Sequence, residues 1–134
     1  MRTIVVTGGR TYSDAAKVTE VLSTVLARAG SMRLLHGDAT GADQLAKAWA
    51  AENQVEAVPF PVLLNEWRCY GKAAGPIRNA RMVAQRPDLV VAFPGSDGTA
   101  DCVAQARAAG IPVLVVPPRT DTGPTTEVAG PVRR

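Results

Sequence analysis

The alternation of short β-branched runs with longer segments of helical periodicity constrains this chain more than any other feature. "TIVVT" (3–7) reads as a buried strand, and Val18, Val21, Leu22, Val25 and Leu26 then recur at helical spacing, with Ser13 or Asp14 as cap and Gly30 as stop. "RLLH" (33–36) is a second strand. "TGAD" (40–43) opens the next helix as a capping-box variant, with Thr40 capping, Asp43 reaching back, and Leu45, Ala46, Trp49 and Ala50 on the apolar face. "VEAVPF" (55–60) is a third strand that ends, or lies at an edge, because Pro59 has no N–H for a ladder. Residues 61–74 form a long connection. Gly75 and Pro76 then read as N-cap and first residue of a helix to about Arg86. "LVVAF" (89–93), a glycine turn, a helix through Ala109 with Gly110 as stop, and "PVLVV" (112–116) complete the series.

Strands alternating with helices predict an α/β, Rossmann-like three-layer sandwich whose five-stranded, mostly parallel sheet runs in the order 3-2-1-4-5. The chain of 134 residues suits one domain, and 46% hydrophobic content excludes general disorder. That domain is expected over 1–117. Residues 118–134, rich in proline and glycine and without periodicity, read as a flexible C-terminal tail. No apolar run approaches the ~18 residues of a membrane span, and the N-terminus lacks the pattern of a signal peptide, so a cytoplasmic protein is expected. Cys69 and Cys102 have neither CxxC spacing nor neighbouring histidines, which argues against a disulfide framework or a zinc site. A net charge of +3, part of it carried by the tail, is too small to point to nucleic acid.

In the predicted order, strands 1 and 4 are neighbours whose helices lie on opposite sides of the sheet, leaving a crevice beyond their carboxyl ends. Two glycine turns land there. "TGGR" supplies Gly8, Gly9 and Arg10, and "PGSDGT" supplies Gly95, Ser96, Asp97, Gly98 and Thr99. Glycine lets backbone approach a ligand, and free N–H groups at a helix start attract anionic oxygen, so a phosphate is the natural guest. Neither turn is a GxGxxG or a GxxxxGK[ST]. "GDATGAD" adds Asp38 and Asp43 on the same edge, and "GKAAGPIRNARM" adds Lys72, Arg78 and Asn79. An arginine fork can grip phosphate, and Arg78 on a first helical turn works against the helix dipole. Asp43 as a cap, Lys72 as a solvated charge and His36 as a structural residue are the plainer readings. Trp67 and Tyr70 could stack on a base or anchor the long connection.

"TGGRTYSD" (7–14), "HGDATGAD" (36–43), "EWRCYGKAAGPIRNARMV" (66–83) and "VVAFPGSDGTADCV" (90–103), in that order, resemble the YspA/YpsA-related branch of the SLOG superfamily, which also holds the LOG phosphoribohydrolases and the DprA/Smf proteins. The resemblance spans 7–103 and implies a Rossmann-like fold with a site for a nucleotide or nucleotide-derived ligand. LOG enzymes carry PGGxGTxxE, whose glutamate, with an arginine from an earlier helix, serves hydrolysis of the N-glycosidic bond of a nucleoside 5′-monophosphate. Here Ser96 replaces a glycine of that pattern, and Cys102 stands at the glutamate position. Asp101 lies about 100° around the helix from it and is shorter than Glu.

Binding of a nucleotide-derived small molecule, ADP-ribose-like or a nucleoside phosphate, for sensing or sequestration therefore ranks above hydrolysis. A LOG-like nucleotide N-glycosidase is the alternative, with Asp101, Asp38 and Arg78 as candidate catalytic residues. DprA-like binding of single-stranded DNA is the lesser one, since no basic stripe with interleaved aromatics is present. No metal, cofactor, nucleic acid or membrane partner is expected, and homo-oligomerisation stays open.

Overall fold

The computed structural model describes residues 1–118. Five strands, β1 (Arg2–Thr7), β2 (Met32–His36), β3 (Glu56–Pro59), β4 (Leu89–Ala92) and β5 (Val113–Val115), form one parallel sheet in the order β3-β2-β1-β4-β5. Ile4 pairs with Leu34 on one side and with Leu89 on the other, so β1 lies at the centre. Helices α1 (Ala15–Ala29), α2 (Ala42–Glu52), α3 (Leu64–Tyr70), α4 (Ala74–Ala84) and α5 (Asp97–Ala108) connect the strands. This is the Rossmann-like arrangement the sequence predicts.

Side chains alternate across a strand, and the sheet therefore feeds two cores. Ile4, Val6 and Leu34 face Val18 and Leu22 of α1 and Ala46, Trp49 and Ala50 of α2. Val5, Leu35 and Val90 face Met82 and Val83 of α4 and Cys102 and Ala106 of α5. The helix after β1 and the helix after β4 thus cover opposite faces. Their diverging starts leave a crevice at the carboxyl ends of β1 and β4, as expected for a topological switch point.

Most element boundaries follow the sequence. Asp14 caps α1, its Oδ1 accepting from the Lys17 N–H at 3.0 Å, and Gly30 ends the helix at φ 82°. Three local expectations are corrected. Gly41, not Thr40, holds the N-cap position of α2; the Thr40 hydroxyl donates to the Arg10 carbonyl, and Asp43 turns to the preceding loop. The connection 61–74 contains α3 and a 3-10 turn, Gly71–Ala73. Gly75 and Pro76 lie within the first turn of α4, where the missing proline N–H costs no helical bond, and the helix ends at Ala84 rather than about Arg86. Of the tail expected over 118–134, residues 119–134 lie outside the described residues.

Candidate functional site

The two glycine turns meet above the sheet. The Gly9 N–H donates to the Pro94 carbonyl at 2.8 Å, and a Cβ on Gly9 would stand 2.9 Å from that same oxygen. A Cβ on Gly95 would collide with the Thr99 hydroxyl and approach the Gly9 nitrogen to 2.8 Å. Glycine is thus required at both positions for the turns to close on each other, which is one physical reason for the glycines the sequence places there.

Around this junction opens a cleft of ≈ 1010 Å³. Gly8, Gly9, Arg10, Arg78, Asn79, Gly95, Ser96, Asp97, Gly98, Thr99 and Asp101 all line it. Asp38 does not line it: at φ 56°, its Oδ1 accepts from Gln44 Nε2 at 3.0 Å and lies 3.9 Å from Lys47 Nζ. Lys72, Asp43 and Trp67 are on the wall as well, together with Tyr12 and Asp14.

The first turn of α5 faces the cleft. Ser96 occupies its N-cap without a side-chain cap, and the first backbone bond is Ala100 N–H to the Ser96 carbonyl at 2.9 Å. Among the described residues, the N–H groups of Asp97, Gly98 and Thr99 have no protein acceptor. These are the orphan donors of a helix start, carrying the positive end of the peptide dipoles. Among the described residues, nothing beyond its chain neighbours and the backbone of its own helix lies within 4 Å of where a Cβ on Gly98 would stand.

Arg78 reaches the cleft by a different logic from that of a free surface cation. Its Nη1 donates to the carbonyls of Gly37 at 2.7 Å and Phe60 at 3.3 Å, and its Nε donates to Asn79 Oδ1 at 3.0 Å. Burial lowers its pKa from the ordinary arginine value, with Asp43 acting in the opposite direction. Asn79 is buried, and its amide donates to the Gly98 carbonyl at 3.2 Å and to Asp101 Oδ2 at 3.0 Å. Gln105 donates to the same Asp101 oxygen at 2.7 Å. Arg78 and Asn79 therefore tie the β2 loop, α4 and the first turn of α5 into one frame.

Asp43, read from the sequence as a cap, is a buried hub. Its Oδ2 accepts from the N–H groups of Gly37 at 3.0 Å and Ala39 at 3.2 Å. Burial nonetheless outweighs those bonds and Arg78, and pushes its carboxyl up to about 6. Gly37 is pressed between the two: a Cβ there would collide with the Arg78 guanidinium and stand 3.1 Å from Asp43 Oδ2. In the sequence only the glycine directly after the strand end marks room for a tight loop; that its N–H turns to Asp43 is set by the fold. His36, fully buried, accepts from the Asp38 N–H through Nδ1 at 3.0 Å, and burial lowers its pKa.

Comparison with known proteins then decides the family. The family model described as YspA, cpYpsA-related SLOG matches residues 2–67. The gene 61 protein of Mycobacterium phage D29 is 37% identical over 119 residues, covering 85% of this chain and 95% of that protein. The chain belongs to the YspA, cpYpsA-related SLOG family. Among solved structures, this SLOG protein superposes on TM1055 with a TM-score of 0.65 at 21% identity, covering 84% of this chain and 72% of that one. DprA from Streptococcus pneumoniae gives a TM-score of 0.71 at 18% identity over 91% of this chain and 52% of its own, so the SLOG chain spans about half of that protein. DprA from Helicobacter pylori, described for its single-stranded DNA binding mode, gives 0.67 at 17% identity over 90% and 67%.

Within this SLOG fold, the departure from the LOG pattern has a structural side. Cys102 is fully buried against Met82 and Val90 and does not line the cleft, and burial pushes its thiol up to about 11. At neutral pH it is a protonated core thiol, unable to act as a carboxylate or as a thiolate nucleophile. Its neighbour Asp101 is the residue that reaches the cleft.

Proposed function

We propose that this protein binds a nucleotide-derived phosphate in the cleft between the β1 and β4 turns, in order to sense or sequester it. The observation that carries the reading is the start of α5, where three backbone N–H groups without protein acceptors open onto the cleft. A phosphate would accept from them and gain from the positive end of the helix. Arg10 and Lys72 line the same cleft, and among the described residues neither forms an ion pair, which leaves both charges available to an anion. Arg78 would add its Nη2, which donates to no acceptor among the described residues. Asp97 would repel the phosphate itself, and suits a ribose hydroxyl donor instead.

Hydrolysis is the second reading. Cleaving an N-glycosidic bond builds positive charge on the ribose, which a free carboxylate can stabilise. Asp14, Asp43 and Asp101 on the wall already accept protein hydrogen bonds, whereas Asp97 accepts none among the described residues, and this supports at most a slow reaction carried by Asp97. Lack of a positioned acid–base group costs about 10²- to 10⁴-fold in rate.

Mass spectrometry of small molecules released from the purified, denatured protein tests the binding reading. A nucleotide recovered in stoichiometric amount supports it. Failure to retain AMP, ADP or ADP-ribose even after incubation at millimolar concentration refutes it. Stoichiometric free base and ribose 5-phosphate after incubation with AMP would turn the assignment to the hydrolase, and retention of a labelled oligonucleotide in preference to AMP would turn it to single-stranded DNA.

A further inference from the structure

Helix α3 is docked the wrong way round for a core helix. Its carboxylate points in: the Glu66 side chain, 10% exposed, forms an ion pair with Arg81 of α4 and accepts from the Leu63 N–H at 3.0 Å. Its large apolar side chains point out, with Leu64 68% and Trp67 40% exposed. A polar clamp rather than apolar burial thus holds the segment, and the indole is left only partly covered, short of the burial that the hydrophobic effect favours. Among the described residues, Trp67 is also the one exposed large hydrophobic side chain on the wall of the cleft.

We infer that Trp67 is the stacking platform for a nucleobase and is the residue that makes the site select nucleoside phosphates over sugar phosphates. The inference deepens, and rests on, the phosphate reading of the α5 turn. The cleft of ≈ 1010 Å³ is much larger than a phosphate or a pentose phosphate needs, so an anchored phosphate leaves room for a base along the wall. Gly75 and Pro76 of α4 line the same wall and carry no charge that a base would have to desolvate. An indole face stacks on any base through its π surface, so the platform sets the class of ligand and not the identity of the base. The Glu66–Arg81 pair gives the platform a fixed position, which a free loop would not.

Calorimetry with AMP and with ribose 5-phosphate, on the full chain and its Trp67→Ala and Trp67→Phe variants, separates the base from the phosphate. Trp67→Ala is expected to weaken AMP roughly 5- to 150-fold while leaving ribose 5-phosphate unchanged, and Trp67→Phe is expected to keep most of the AMP affinity. AMP, but not ribose 5-phosphate, should also quench the wild-type indole emission. Only two tryptophans are present, and Trp49 is buried with its Nε1 donating to Ser23 at 3.1 Å, so this quenching reports Trp67. Equal AMP affinity in wild type and Trp67→Ala, or no quenching by bound AMP, overturns the platform while ribose 5-phosphate binding leaves the phosphate site standing. A wild-type protein that binds neither compound overturns both.

Discussion

The Gly9 N–H and the Pro94 carbonyl, 2.8 Å apart, join the turn after β1 to the turn after β4. That bond brings two loops separated by 85 positions into one rim, with Arg10 on one side and the first turn of α5 on the other. The site is built from backbone first and from side chains second.

Two glycines of the second turn are expected to behave oppositely. Gly95→Ala meets the Thr99 hydroxyl and the Gly9 nitrogen and should cost about 1 to 3 kcal/mol of stability, as overpacking does. At Gly98 an added Cβ has open space beyond its own helix, so Gly98→Val should fold with a melting temperature close to wild type, but place a branched side chain where a phosphate would lie. Thermal melts and nucleotide titration of the two variants check this: loss of stability belongs to the first, loss of binding to the second.

Asp43 makes stability depend on pH in a defined window. Its carboxyl is raised by burial from 3.8 to about 6, so the folded chain holds that proton more tightly than the unfolded one. The group's contribution is fully present below about pH 4 and is lost as pH rises through about 6, on the order of 2 to 3 kcal/mol. Asn at this position can keep the two backbone N–H bonds without ionising. The difference in unfolding free energy between wild type and Asp43→Asn, followed by urea titration from pH 4 to 7, should therefore move in favour of the variant as pH rises.

The two thiols should separate cleanly. Cys69 is exposed, while Cys102 is fully buried and held protonated at neutral pH. A disulfide exchange reagent at pH 8 is expected to titrate one thiol in the native protein and the second only after denaturant is added. Two fast thiols would mean that α5 does not seal Cys102.

Much of this architecture could be read from the residues, and the failures share a cause. Strand order follows from right-handed crossovers between β-branched runs, and caps such as Asp14 and Gly30 act locally, so both are written in short stretches of sequence. Helix α3 was hidden because "LNEWRCY" turns a carboxylate inward and its apolar residues outward, the reverse of the pattern that marks a core helix. Asp43 looked like a cap because its partners, Gly37 and Ala39, lie before its helix, and only the folded loop presents their N–H groups to it. Arg78 was legible as a cation on the cleft edge, whereas its bonds to the Gly37 and Phe60 carbonyls depend on long-range contacts that no local pattern encodes.

Arg78→Ala is expected to lose more than a ligand contact. It removes the donors to Gly37, Phe60 and Asn79 and leaves partly buried acceptors unpaired, at a cost of about 1 to 3 kcal/mol, so both the melting temperature and nucleotide affinity should fall. Unchanged stability with weakened binding would show that the guanidinium serves the ligand alone.

Amide-resolved NMR during titration with AMP tests the central claim most directly, because it reads the backbone donors themselves. The account expects the largest shifts at the amides of Gly98 and Thr99, with Gly9 and Arg10 across the rim moving in the same titration. Saturable binding that leaves those amides unmoved and shifts residues away from the cleft, such as the exposed Leu114 and Val115 of β5, would contradict it.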